Sequence, residues 1–119
     1  TTPLIFNVGN FMSDIKITKE LTAAHSGRYV ARIEGIEGEG EIIFTIRNTH
    51  LISADHTIVP ESLAGKGIAK ALLNFMLDDA KKENFKIIPI CPFVRAQYER
   101  HPEWSNLFST KPGEVPELS

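Results

Sequence analysis

Three side chains able to move a proton or carry an acyl group stand near the ends of two apolar segments: His56 in H-T-I-V-P, Cys91 closing I-I-P-I-C, and Tyr98 shortly beyond it. An imidazole, with an ordinary pKa of about 6.5, can accept a proton at neutral pH. A thiol, ordinarily near pKa 8.5, becomes a nucleophile once ionised, and at Cys91 that would draw on Arg95, His56 or the start of the following helix. A phenol near pKa 10 can protonate a leaving group of similar basicity. Each residue has a structural alternative. His56 can be packed and hydrogen-bonded among Ile52, Ala54 and Ile58, Cys91 can be a small core side chain, and Tyr98 can cover a helix-sheet seam.

Between His56 and Cys91 lies the glycine loop A-G-K-G-I-A, in which Gly65 and Gly67 stand where a strand hands over to a helix. Unpaired N–H groups and the positive helix end face outward there, and glycine lets an anion come close to the backbone. Phosphate is the natural guest. A Walker loop is excluded because no G-x-x-x-x-G-K followed by Ser or Thr is present, and a G-x-G-x-x-G fingerprint fails at Lys70.

The elements that must position these residues follow from periodicity. D-I-K-I-T-K-E, from Asp14, alternates as a half-buried strand, and G-R-Y-V-A-R-I-E and E-I-I-F-T-I-R are neighbouring antiparallel strands joined through Gly35, Gly38 and Gly40. The next strand runs from His50 to Val59, with Ile52, Ala54, His56 and Ile58 on one face and Asp55 and Thr57 on the other, and Pro60 stops it. From Lys66 to Glu83, exposed positions Lys70, Asn74, Asp78 and Lys81 recur at helical spacing, and Asn84 ends the helix. F-K-I-I-P-I-C is then a strand parallel to the one before the helix, and Pro89 inside it predicts that the two strands separate near their ends. V-R-A-Q-Y-E-R-H is a second helix ended by Pro102, with Trp104 and Phe108 packing back. Residues 109–119, rich in Pro and Gly, read as a mobile tail.

With 119 residues and a net charge of -2, the chain fits one domain and lacks the excess of Lys and Arg that nucleic acid requires. One cysteine excludes an internal disulfide, the four histidines show no zinc spacing, and no apolar run reaches bilayer length, so no metal and no membrane are expected, and a cytoplasmic location is. Residues 1–12 are set apart as an N-terminal extension, with Met12 a candidate native start, and residues 13–108 form the domain.

The loop resembles the acyl-CoA loop of the GCN5-related N-acetyltransferases, with Gly67 and Ala69 in two of its defining places and Ala64 where that family usually has Gln or Arg. H-T-I-V-P, G-K-G-I-A, I-P-I-C-P-F-V and H-P-E-W are together similar to the small single-domain branch of that superfamily, the YjdJ-like or NATD1-like domains, over about residues 14–108. The resemblance implies a mixed α+β fold, with a mostly antiparallel central sheet, a splayed parallel strand pair and flanking helices. It implies acetyl-CoA as cosubstrate, its pyrophosphate on the amides of Ala64, Gly65, Lys66, Gly67, Ile68, Ala69 and Lys70 and its pantetheine beside Ile58 and Val59. Cys91, His56 and Tyr98 are the implied catalytic set: a nucleophile that forms an acetyl-cysteine or a bystander, a base, and an acid for the departing sulfur. The implied acceptor is an amine on a protein, a peptide or a polyamine reached from an open side, and the implied state a monomer or weak dimer. A non-catalytic acyl-CoA-binding or sensing domain is the alternative, and a plain interaction domain the second rival.

Overall fold

The computed structural model describes residues 15–116. Strands β1 (Ile15–Ala23), β2 (Ser26–Ile33), β3 (Gly40–Asn48) and β4 (Leu51–Ile58) form an antiparallel meander. Helix α1 (Ile68–Glu83) then crosses over to β5 (Lys86–Pro89), which lies parallel to β4 and completes a sheet of order β1-β2-β3-β4-β5. Helix α2 (Pro92–Arg100) and a 3-10 segment, Pro102–Leu107, follow. This is the mixed α+β fold, with a mostly antiparallel sheet, one parallel strand pair and flanking helices, that the resemblance implied. The expected extension over residues 1–12, the start at Met12 and the first residues of the opening strand lie outside the described residues.

One face of the sheet is apolar and α1 covers it. Ile17, Ala31, Ile42 and Phe44 are fully buried beneath Leu72 and Met76, while Lys70, Asn74, Asp78 and Lys81 are exposed as the helical spacing predicts. The helix begins at Ile68 rather than Lys66, because Gly65 and Gly67 both adopt the left-handed region (φ 75° each). It ends at Asn84, also left-handed at φ 62°, as expected.

The E-G-I-E-G-E-G linker is only partly a turn. Gly35 and Gly38 have positive φ, but Gly40 belongs to β3, where a Cβ would lie 2.5 Å from Ile68 Cγ2. Glycine there lets the first turn of α1 sit directly on the sheet. Helix α2 starts at Pro92, two residues before the apolar pattern does, since proline at the first helical position gives up an N–H that has no acceptor anyway.

The first residues of the stretch read as a mobile tail from residue 109 make contacts with the domain and with one another. Phe108 bridges Ile87, Ser109 N–H donates to Ile87 O at 3.0 Å, and Lys111 and Glu114 exchange hydrogen bonds of 2.9 and 3.0 Å. Proline and glycine mark irregular backbone here, and that backbone is tied to the edge of β5.

Both tyrosines of the chain are buried. Tyr29 donates its hydroxyl to Asp79 Oδ2 at 2.7 Å, and Lys19 reaches the same oxygen at 2.7 Å while lying 5.7 Å from the centre of the Phe44 ring. Burial, reinforced by the Asp79 charge, holds the Tyr29 phenol far above its ordinary pKa, and burial with a smaller push from Glu114 raises Tyr98 as well. A raised folded-state pKa means that the unfolded chain releases its phenolic protons first. The stability both phenols contribute is therefore intact below about pH 10 and falls as pH rises beyond it. In an ultraviolet titration no phenolate should develop at pH 10 in the folded protein, and it should then appear together with unfolding. A tyrosine titrating at its ordinary pKa with the fold intact would contradict this burial.

Candidate functional site

Beyond Ala54, β4 leaves regular pairing. Phe44 faces Ala54 but Ile43 faces His56, so Asp55 is an extra residue in β4, a β-bulge. The faces exchange there. Thr57, opposite Ile42, takes the core side, whereas His56 and Ile58, opposite Ile43 and Glu41, lie on the outer face. The expectation that His56 shares a face with Ile52 and Ala54 is thereby corrected, and with it the reading of His56 as a packed core histidine: its side chain is exposed.

The bulge coincides with the end of the parallel ladder. Strands β4 and β5 pair over Leu51–Lys86 to Ala54–Pro89, and the last contact is Cys91 N–H to Ala54 O at 2.9 Å. Pro89 lacks an N–H to carry the ladder further. Residues 55–58 of β4 thus have β3 on one side and no strand of the described residues on the other. This is the separation that Pro89 predicted. The gap has Ile58, 48% exposed, and Val59, packed against the core, along its β4 wall.

The glycine loop stands at the mouth of that gap. A single 3-10 turn, Glu61–Leu63, is anchored by the fully buried Leu63 and by Ser62 Oγ donating to Glu37 O at 2.7 Å. Among the described residues no acceptor meets the N–H groups of Gly65, Lys66, Gly67, Ile68, Ala69 and Lys70, and no side chain caps α1. The first helical bond is Ala71 N–H to Gly67 O at 3.0 Å. A Cβ at Gly65 or Gly67 would meet nothing within 4 Å, so the space over these donors is open. Free donors, a helix N-terminus and open space suit a diphosphate.

The three reactive side chains do not converge. Cys91 is 3% exposed at the N-cap of α2, and its Sγ lies 3.1 Å from Thr57 Oγ1, not against His56. Arg95 donates to Ile90 O at 3.2 Å. Tyr98 is fully buried, stacked on Phe108 with ring centres 4.0 Å apart, and its hydroxyl donates to Thr110 O at 2.7 Å. Its place in the fold is that of a core aromatic holding the chain after the 3-10 segment. His56 has no side-chain hydrogen bond among the described residues.

Sequence reasoning set Asp55 aside, because a regular strand puts it on the face opposite His56, and gave Thr57 no role. Asp55 accepts Thr45 Oγ1 at 2.5 Å and Ser53 Oγ at 2.7 Å, and Arg47 Nε donates to Ser53 Oγ at 3.1 Å. A run of hydroxyls and one carboxylate across paired strands was the available signal. Among the described residues no group of three or more His, Cys, Asp and Glu side chains could hold a metal ion.

Residues 28–107 match the family model described as GCN5-related N-acetyl-transferase. Protein NATD1 of Gallus gallus is 24% identical over 75 residues, covering 63% of this chain and 68% of that protein. The Homo sapiens protein of the same name is also 24% identical over 75 residues, 63% of this chain and 66% of its own length, so the chain spans about two thirds of these relatives. The crystal structure of a ribosomal-protein-alanine N-acetyltransferase from Brucella melitensis biovar Abortus 2308 is similar in fold, with a TM-score of 0.51 and 21% identity over 82% of this chain and 71% of that one.

The packing of Tyr98 makes a definite prediction. Removing its hydroxyl in Tyr98→Phe should lower unfolding stability by about 1 kcal/mol in a urea titration, the usual worth of one internal hydrogen bond. Acetyl-transfer turnover should stay within about threefold of wild type. A loss of roughly 100-fold in turnover, the scale expected for removing a general acid, would restore the catalytic assignment.

Proposed function

The chain belongs to the GCN5-related N-acetyltransferase family, and on that premise we propose that it binds acetyl-CoA along the loop and the gap and passes the acetyl group directly to an amine. It is an N-acetyltransferase, and its family uses acetyl-CoA as cosubstrate. The observation that carries the finer reading is a pair of unpaired backbone edges, the partnerless side of β4 residues 55–58 and, beyond the 3-10 turn, the free amides from Gly65 to Lys70. A diphosphate suits the loop amides. The amide groups of a pantetheine arm suit the β4 edge, because they can pair with an open strand as a neighbouring strand would.

In this reading the arm lies beside Ile58 and Val59, and the thioester sits near the root of the gap, where Thr57 and Cys91 face each other. The acceptor amine arrives over the outer face, which also bears His56. An alkylamine near pKa 10.4 is almost entirely protonated at neutral pH, so it must lose a proton before it can attack the carbonyl carbon. His56, exposed and without a side-chain hydrogen bond among the described residues, is the base on that face. The amine nitrogen then bonds to the carbonyl carbon, the carbon–sulfur bond breaks, and the second proton that the nitrogen sheds on becoming an amide passes through solvent to the departing thiolate, so that CoA leaves as the thiol.

The burial of Cys91 and its bond to Thr57 favour this direct route over an acetyl-cysteine, which needs an exposed thiolate. The open loop and the exposed His56 also favour an acceptor presented from outside, such as a peptide amine or a polyamine.

Calorimetry supplies the test. Wild type should bind acetyl-CoA saturably, and Gly67→Asp should weaken binding at least tenfold without unfolding. Aspartate tolerates the left-handed conformation and its Cβ enters open space, but its carboxylate repels a diphosphate. With a panel of amines, His56→Gln should lower turnover roughly 100-fold while the affinity for acetyl-CoA holds. Intact mass under turnover should show no acetyl adduct on Cys91. No saturable binding at millimolar acetyl-CoA would sink the cosubstrate reading, and a stoichiometric adduct that chases to the acceptor would replace direct transfer by the covalent route.

A further inference from the structure

Pro89 ends the ladder to β5, but the bulge on the other side of β4 needs a cause of its own, because a strand that can recover regular pairing will do so unless something holds the extra residue. We propose that Asp55 is the positioning residue that holds this bulge, through a carboxylate clamped by Thr45 and Ser53, and thereby sets which groups line the gap. The proposal rests on the acetyl-CoA reading only for the consequence on cosubstrate binding. The clamp itself stands on geometry.

Thr45 and Ser53 are directly opposite each other on β3 and β4, one pair before the irregularity. Both hydroxyls donate to the one carboxylate, Thr45 Oγ1 to Oδ2 at 2.5 Å and Ser53 Oγ to Oδ1 at 2.7 Å. Ser53 is the buried polar residue of the sheet, 0% exposed, and Arg47 Nε fixes its oxygen from the other side at 3.1 Å. The bond from Ser53 on the same strand and the bond from Thr45 across the pair together hold the Asp55 carboxylate over the Thr45–Ser53 pair, on the outer face. Tethered in this way toward the pair behind it, Asp55 leaves the place opposite Ile43 to His56.

Without the clamp, regular alternation would put Asp55 opposite Ile43 and His56 opposite Ile42. Every side chain from there to the strand end would change face. An imidazole would then replace the Thr57 hydroxyl on the core side, Cys91 Sγ would lose its 3.1 Å partner, and Ile58 would turn inward. One carboxylate therefore decides both the orientation of His56 and the environment of Cys91.

Two readouts separate this from a general loss of stability. Cys91 is the sole thiol of the chain, so its rate of reaction with an aromatic disulfide reagent in the folded protein reports its surroundings without any cosubstrate. Asp55→Ala should raise that rate at least tenfold and weaken acetyl-CoA binding at least tenfold. Asp55→Asn, which keeps one acceptor oxygen on the same side-chain shape, should restore most of both. A folded Asp55→Ala with wild-type thiol reactivity overturns the clamp. Should Asp55→Ala fail to fold, Thr45→Val removes one of the two donors and must move the thiol rate in the same direction, and an unchanged rate overturns the clamp equally. If wild type binds no acetyl-CoA, the cosubstrate reading fails while the thiol rates still decide the role of Asp55.

Discussion

A strand that carries one residue more than its neighbour has to keep its hydrogen bonds on one side while its side chains change face. In β4 that residue is Asp55, and the antiparallel ladder to β3 survives on both sides of it. On the other side the ladder to β5 does not survive, since Pro89 has no N–H to offer and the last shared bond is made by Cys91. A strand with one paired and one open edge is the result. Unpaired backbone groups away from bulk water are costly, so such an edge persists where it can be satisfied by solvent or by a ligand.

The rest of the fold brings a set of unpaired amides to that edge. Gly40 admits the first turn of α1 onto β3, which fixes where the helix begins, and the two left-handed glycines deliver its free N–H groups beside the end of β4. The buried face under α1 is the rigid body against which these parts are held, with Leu63 as the anchor of the loop. In the proposed reading backbone supplies the recognition surface, which suits a loop with Ala64 at the place where the resembled pattern has Gln or Arg. Side-chain chemistry is sparse by comparison. Tyr98 is buried with its hydroxyl on Thr110 and Cys91 is enclosed, whereas His56 is exposed.

Those parts of the site that depend on local rules were legible in the sequence. Glycine before an amphipathic helix, asparagine at its end and proline inside a short strand each have one dominant structural meaning, and each is found where it was expected. The bulge was not legible, because Asp55 in D-H-T-I fits a regular alternation as well as an interrupted one, and only the hydroxyls of Thr45 and Ser53 across the pairing reveal what it does. The same holds for Gly40, whose turn-like composition conceals a close contact with a helix nearly thirty residues later in the chain. Residues 109–114 likewise look free until Tyr98 and Ile87 are seen to hold them. In all three cases a contact from another element takes part: Thr45 of β3 for Asp55, Ile68 of α1 for Gly40, and Tyr98 and Ile87 for residues 109–114.

The central claim is that the two unpaired backbone edges, at the glycine loop and at the end of β4, together receive the cosubstrate. Titrating acetyl-CoA into isotopically labelled protein and following the backbone amide resonances tests it most directly. The account predicts that the largest shifts fall on Gly65 to Lys70 and, together with them, on Thr57 to Val59. Shifts concentrated instead in the groove between α1 and the 3-10 segment, around Asn74, Lys81 and Trp104, or a loop that responds while β4 does not, would contradict it.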